Sequence, residues 1–339
     1  MDIITAAELF GGPADGRPIL DVRSPGEYAA GHLPGAHSLP LFSDAERAEV
    51  GTLYKQDSPD AALLRGLDIA GAKMRWLVET AREMAPAGRA VVHCWRGGQR
   101  SGSVGWLLER GGMEVAQLAG GYKAFRHYVR AYLGQDHHRL RVLGGPTGSA
   151  KTEVLRALAE LGAPVVDLEA LASHKGSSFG ALGEAPQPTT ETFENRLFGA
   201  LRAIPAGRTV WLEDESRMIG TVYQPDAFFE RLTAAPVTEL LRPLDWRVEH
   251  LVSTYAGYAK HQLVDAFVRI RKKLGGQHLS TALEALDVGD YAAAARVALV
   301  YYDKAYAHHS RRRGVRVVGR IEAGARDPRA VARLILASA

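Results

Sequence analysis

The chain has 339 residues, 24% of them charged and 46% hydrophobic, with a formal net charge of +4. These proportions exclude a disordered chain and leave room for two separate cores. A single cysteine, Cys94, excludes an intrachain disulfide framework. No run reaches the ~18 uninterrupted apolar residues of a membrane helix, and "MDIITAAELFGG" has no basic residue ahead of an apolar stretch, so a cytoplasmic address without a membrane part is expected.

A strand–helix rhythm occurs twice along the chain. "RPILDVRS" (17–24) and "RAVVHC" (89–94) read as buried strands, and "SGSVGWLLERGG" (101–112) as a helix stopped by Gly111 and Gly112. "YLGQDHHR" (132–139) is polar and aperiodic, which places a boundary near residue 135 and predicts domains over 1–134 and 135–339. The second half restarts with the strand "RLRVLGG" (139–145), a glycine-bearing loop and the helix "KTEVLRALAELG" (151–162). Further strands are predicted at "APVVDLE" (163–169) and "RTVWLEDES" (208–216), and mostly helical structure from about 225 to 310. Strands alternating with helices imply an α/β class with a parallel sheet in each half.

"AVVHCWRGGQRSG" (90–102) carries the first chemical signal. Cys94 stands where a strand ends and a helix begins, and Cys94 to Arg100 spans a Cys-x5-Arg loop. Amide groups of such a loop, with the positive end of the following helix dipole, favour an anion. Together with Arg96 and Arg100 they predict a thiolate nucleophile at Cys94. A buried packing cysteine is the alternative.

The second signal is "GPTGSAKT" (145–152), a loop that follows a strand and opens a helix, as a phosphate-binding P-loop requires. Gly145, Thr147, Gly148, Ser149, Lys151 and Thr152 are the candidate phosphate ligands. Ala150 replaces the glycine usual before the lysine, and a left-handed backbone there costs an alanine about 1 kcal/mol. "VWLEDES" (210–216), an apolar strand ending in carboxylates, reads as its Walker B-like partner.

Charge is uneven along the chain. Residues 1–133 hold 15 Lys plus Arg against 15 Asp plus Glu, whereas residues 242–320 hold 14 against 7. Arg269, Arg271, Lys272 and Lys273 form one cluster, and Arg311, Arg312 and Arg313 another. Such a basic face suits RNA, a solvated helix surface being the alternative. His93, His137 and His138 have no partners at a metal-ligand spacing, so no metal site is assigned to them.

"ILDVRSPGEYAAGHLPGAHSLP" (19–40), the cysteine loop and "LAGGYKAFR" (118–126) resemble the rhodanese family of sulfurtransferases. The resemblance makes Cys94 the counterpart of the persulfide-bearing cysteine. "VGTLYKQ" (50–56), "CWRGGQRS" (94–101), "DLEALASHKGSSFG" (167–180), "LEDESRMIG" (212–220) and "YYDKAY" (301–306) resemble, in order and over nearly the full chain, the tRNA 2-selenouridine synthase family. This implies a rhodanese-like parallel-sheet domain followed by a P-loop NTPase-like α/β domain with a helical, tRNA-binding C-terminal part. It also implies exchange of sulfur for selenium at the wobble 2-thiouridine of Lys, Glu and Gln acceptor tRNAs, with selenophosphate as donor, supplied by a partner enzyme. An S-geranyl intermediate made from geranyl diphosphate is implied as well. No tightly bound cofactor is expected, Mg²⁺ near Asp214 or Glu215 being the one ion considered. His174, Lys175, Ser177 and Ser178, in "SHKGSSFG", suit a loop closing over phosphate or RNA, or a plain surface loop. Two rival functions remain at this stage: a Cys-x5-Arg phosphatase or arsenate reductase-like enzyme, and a P-loop kinase with a regulatory rhodanese module.

Overall fold

The computed structural model describes residues 1–12, 16–313 and 316–338, the side chains of 309–313 excepted. The chain divides into two compact units, Met1–Tyr132 with Glu194–Arg196, and Leu133–Phe193 with Leu197–Ala339.

In chain order the first unit contains β1 (Asp2–Ile4), α1 (Ala6–Gly11), β2 (Ile19–Asp21), α2 (Pro25–Ala30), β3 (Ala36–Ser38), α3 (Asp44–Gln56), α4 (Pro59–Met84), β4 (Arg89–His93), α5 (Gln99–Arg110), β5 (Glu114–Leu118) and α6 (Gly121–Leu133). The strands form one sheet in the order β1-β5-β4-β2-β3, parallel at every pairing. β4 sits at its centre and is buried from Ala90 to His93, as a strand covered on both faces must be. Leu20, Val22, Val92, Val104 and Leu108 pack in its core. Ser24 and Ser43 start α2 and α3 with reciprocal bonds to Glu27 and Glu46 three residues on, which satisfies the first free amides of each helix.

The second unit contains β6 (Arg139–Gly144), α7 (Lys151–Glu160), α8 (Leu168–Ala172), α9 (Thr190–Arg202), β7 (Thr209–Glu213), the hairpin of β8 (Met218–Ile219) and β9 (Val222–Tyr223), α10 (Asp226–Ala234) and β10 (Val237–Leu241). Helices α11 (Leu244–Tyr255), α12 (Lys260–Arg269), α13 (Arg271–Leu274), α14 (Gly276–Asp287) and α15 (Tyr291–Arg313) follow, then β11 (Val317–Glu322) and α16 (Pro328–Ala337). Its main sheet is parallel in the order β11-β10-β6-β7, so β6 lies inside it and delivers the glycine loop from the sheet's carboxyl edge. α7 and α16 pack on the sheet through Val154, Leu158, Val331 and Ile335. A separate cluster joins α12, α14 and α15 with Phe179 and Leu182.

Two expectations about elements are corrected. Residues 163–169 form no strand beyond a single bridge from Val165 to Trp211, because Asp167 caps α8 by accepting the Ala170 amide and turns the chain at once into that helix. The region expected to be mostly helical is so, but it also contains the interior strand β10, which the expectation did not include. Its polar residues Thr238 and Glu239 hide the usual apolar pattern. They are buried nonetheless, since Glu239 accepts hydrogen bonds from Tyr306 and Arg320.

Candidate active site

In the first unit, α5 starts at Gly98, a residue with no side chain to cap its first amides. The loop before it folds around Cys94, which is 4% exposed. Gly97 takes a φ of +63°, and a Cβ there would stand 2.6 Å from the Leu118 carbonyl oxygen, so only glycine fits. The Tyr122 amide donates to the Cys94 carbonyl at 2.9 Å and fixes the loop from behind. The Ser101 hydroxyl donates to Cys94 Sγ at 3.2 Å, and Gln117 donates in turn to Ser101 at 2.8 Å. Burial pushes the thiol's pKa up, but hydrogen bonds from the Ser101 hydroxyl and from the amides of Ser101, Arg96 and Gly98 outweigh it and hold it below the usual value.

The two arginines stand differently from the sequence expectation. Arg96 is exposed, and Arg100 donates to the Glu27 carboxylate at 2.7 Å, which ties the loop to the start of α2. Hydrogen bonds therefore do most of what the arginine charges were expected to do. Beneath the loop lies a buried set: Arg23 holds Asp21 through Nε and Nη2, donates to the Gly31 carbonyl at 2.7 Å and covers the Tyr122 ring at 3.9 Å. His93 Nε2 is 3.5 Å from Asp21, and burial keeps this imidazole neutral, with a pKa of about 4.

In the second unit, the loop between β6 and α7 has Gly145 at φ +147°, Gly148 at +81° and Ala150 at φ +63°, ψ +40°. A Cβ on Gly145 would lie 2.5 Å from the Leu240 carbonyl oxygen. Ala150 does adopt the left-handed conformation, so its conditional cost of about 1 kcal/mol is present. The structure holds the loop in place with cations. Lys151 Nζ donates to the Gly145 carbonyl at 2.9 Å, Arg247 to that of Thr147 at 3.1 Å, and Arg242 to that of Ser149 at 3.1 Å. The Ser149 amide donates to the Pro146 carbonyl at 3.2 Å, and α7 starts without a side-chain cap, so its positive end faces the cleft as a place for an anion. The buried Ser149 hydroxyl has no hydrogen-bond partner among the described residues.

The loop lines a cleft of about 570 Å³ that also includes Asp214, Glu169, Glu215, His250 and Tyr306. Thr152 donates to Glu169 at 2.9 Å, and Glu169 and Glu215 share a hydrogen bond. Burial, then the neighbouring Glu169, pushes the Glu215 carboxyl up to about 8, while burial lowers the Lys151 ammonium against the pull of Glu169 and Glu215. Glu213 faces inward and accepts the Leu168 amide at 2.9 Å, and burial pushes its carboxyl well above the usual carboxylate range. Of the three carboxylates closing β7, Asp214 and Glu215 reach the cleft. Among the described residues no three His, Cys, Asp or Glu side chains gather to hold a metal.

Lys175, Gly176 and Ser177 line the same cleft, so the "SHKGSSFG" loop is a wall of the site. Lys175 pairs with Glu184 at 3.1 Å, and Ser178 bonds to Tyr302 at 2.8 Å. His174, whose ring nitrogen Nδ1 is buried without a partner, is displaced from the cleft lining. Arg269, Arg271, Lys272 and Lys273 are exposed around α12 and α13. α15 reaches Arg313, but the side chains of Arg311, Arg312 and Arg313 lie outside the described residues.

Sequence reasoning missed Ser101, Asp21, Arg23 and Glu27 in the first unit, and Glu169, Arg242, Arg247 and Asp303 in the second. Asp303 accepts both Arg247 nitrogens at 2.7 Å and so braces the loop. It sits inside "YYDKAY", a string noted for its resemblance but given no role. Arg242 and Arg247 lie in no motif, and their contacts span about a hundred residues, so no local pattern could reveal them.

Residues 138–327 match the family model described as tRNA 2-selenouridine synthase AAA domain, and residues 5–128 match the rhodanese-like domain. Similar proteins carrying the name tRNA 2-selenouridine synthase include one from Bdellovibrio bacteriovorus, 42% identical over 70% of this chain and 64% of that protein. Another, from Nitrosomonas europaea, is 38% identical over 70% of this chain and 63% of its own length. A third, from Hydrogenovibrio crunogenus, is 37% identical over 80% and 79% respectively. The chain thus spans somewhat under two thirds of the first two relatives and about four fifths of the third. Among the described residues no helix is long and apolar enough to cross a membrane.

Proposed function

Since the chain belongs to the tRNA 2-selenouridine synthase family, we propose that it replaces sulfur by selenium at the wobble 2-thiouridine of tRNA, with selenophosphate as donor and an S-geranyl intermediate. One observation carries the reading: a single chain of this family combines a loop that favours a thiolate at Cys94 with a glycine loop that opens an uncapped helix onto a cleft. The thiocarbonyl sulfur at C2 of the uracil ring is a poor leaving group. Its attack on C1 of geranyl diphosphate forms a carbon–sulfur bond, and the C1–oxygen bond breaks with its electron pair going to diphosphate. That leaving group gathers charge, which the amides around Gly148, the Ser149 hydroxyl and Lys151 neutralise. A diphosphate is a stronger partner for Lys151 than the two carbonyls it now touches. The selenium of selenophosphate then attacks the alkylated C2, the C2–sulfur bond breaks with its electron pair going to geranylthiolate, and water cleaves the selenium–phosphorus bond to release phosphate.

Cys94 supplies the thiolate that receives the selenium donor, and the loop amides cradle the donor's phosphate. The exposed basic residues of α12 and α13 hold the tRNA backbone, which fits Lys, Glu and Gln acceptors alike because phosphate contacts carry no sequence information. Mg²⁺, where bound, supplies charge neutralisation at the diphosphate.

Mass spectrometry of nucleosides after incubating the full chain with 2-thiouridine tRNA, geranyl diphosphate and selenophosphate tests this. S-geranyl-2-thiouridine followed by 2-selenouridine is expected, with the second product missing for Cys94→Ala. Appearance of neither nucleoside with the wild-type chain, or full 2-selenouridine formation by Cys94→Ala, would overturn the assignment.

A further inference from the structure

A second pocket, of about 70 Å³, opens beside the phosphate cleft and shares Thr147, Ser177, Leu251, Tyr255 and Tyr302 with it. Its floor is apolar: Leu263 and Phe267 from α12, Leu286 from α14, Ala294 and Ala298 from α15. Phe179 closes one side, edge-on to Phe267 with ring centroids 5.1 Å apart. The floor residues also belong to the helical core cluster, so the pocket's shape is set by close packing. Tyr302, which lines both pockets, bonds through its hydroxyl to Ser178 at 2.8 Å. Apart from the hydroxyls of Thr147, Ser177 and the lining tyrosines the walls are apolar, which leaves too few partners for the ring nitrogens and exocyclic group of a nucleobase. An aliphatic chain loses nothing there and sheds water.

We propose that this pocket seats the distal isoprene unit of an isoprenyl diphosphate whose diphosphate lies on the loop from Gly145 to Thr152. The proposal rests on the reading of that loop as an alkyl diphosphate site. At roughly 12 Å³ for each water-sized position, 70 Å³ holds about six atoms, which matches one five-carbon isoprene unit. The first isoprene unit of a ten-carbon chain spans the shared wall of Leu251, Tyr255 and Tyr302, and the reacting C1 stays at the phosphate loop. Ala298 and Ala294 are the residues whose size decides how much chain enters.

Calorimetric titration of the full chain with geranyl diphosphate and with inorganic pyrophosphate tests the placement. Each buried methylene is worth about fourfold in affinity, so burying one five-carbon unit is expected to make the wild-type chain bind geranyl diphosphate about 1,000-fold tighter than pyrophosphate. Ala298→Leu fills the pocket and should shrink this gap at least tenfold, entirely through weaker geranyl diphosphate binding. Val252→Phe narrows the same pocket from its partly exposed wall, and carries the test if Ala298→Leu fails to fold. A gap unchanged in a folded variant would place the chain elsewhere and overturn the proposal. If the wild-type chain binds both ligands equally, the pocket assignment fails while the phosphate loop stands. If it binds neither, the reading of the loop as a diphosphate site has failed first.

Discussion

Cys94 illustrates how neighbours decide whether a buried thiol is inert. Burial alone would raise its pKa, and the Ser101 hydroxyl is the first group acting against that. Ser101→Ala should therefore slow thiol alkylation by iodoacetamide about tenfold at pH 7 and move its pH profile upward, because a hydrogen bond to a charged acceptor is worth about 1.5 kcal/mol or more. An unchanged profile would show that the loop amides suffice. Gly121 is equally constrained: at φ +57°, a side chain would collide with the Cys94 carbonyl. The sequence made Cys94 legible through its place between strand and helix. It could not show that Ser101 would donate to the sulfur or that Arg100 would turn to Glu27, since both depend on how the loop closes.

At the scale of elements, α5 and α7 share a feature that sets them apart from α2, α3, α4 and α9. Those four begin on serine or threonine caps, whereas α5 and α7 begin on Gly98 and Ala150 with no side-chain cap. Amides at such uncapped starts are donors for an anion, and at α5 the Ser101 amide already serves the Cys94 sulfur. Lys151→Ala should accordingly cut geranylation about a hundredfold, roughly 3 kcal/mol of lost charge stabilisation, while selenation of tRNA already carrying the geranyl group falls much less. Equal loss of both steps, followed as nucleoside products, would mean that both use one site.

Glu215 gives the same region a pH signature. Its carboxyl titrates near 4.5 in the unfolded chain and at about 8 in the fold, so the folded state favours the protonated form. The stability this confers is fully present below pH 4.5 and is lost as pH rises through about 8. Glu215→Gln cannot ionise, so thermal melts should show it matching the wild-type chain near pH 5 and gaining on it steadily toward pH 9. A constant difference across that range would mean Glu215 is already charged at neutral pH.

For the whole molecule, charge asymmetry is the property with a measurable consequence. Arg271, Lys272 and Lys273 project from the short α13 into solvent, where they can reach phosphates without first breaking a core contact. Replacing all three by Ala should weaken binding of every substrate tRNA alike and flatten the salt dependence of binding by about 2 to 3 in log–log slope. The measurement is tRNA affinity over a salt series, and an unchanged slope would reduce this cluster to a solvated surface.

The two α/β halves, the cysteine loop and the glycine loop before α7 were legible in the sequence because each rests on local order: a strand, a glycine-bearing turn and a helix within some fifteen residues. The bracing of the loop by Arg242, Arg247 and Asp303, the shared proton of Glu169 and Glu215, and the apolar pocket floored by α12, α14 and α15 were not legible. Each joins residues far apart in the chain, and each exists only because burial and close packing bring those groups together and strip them of water.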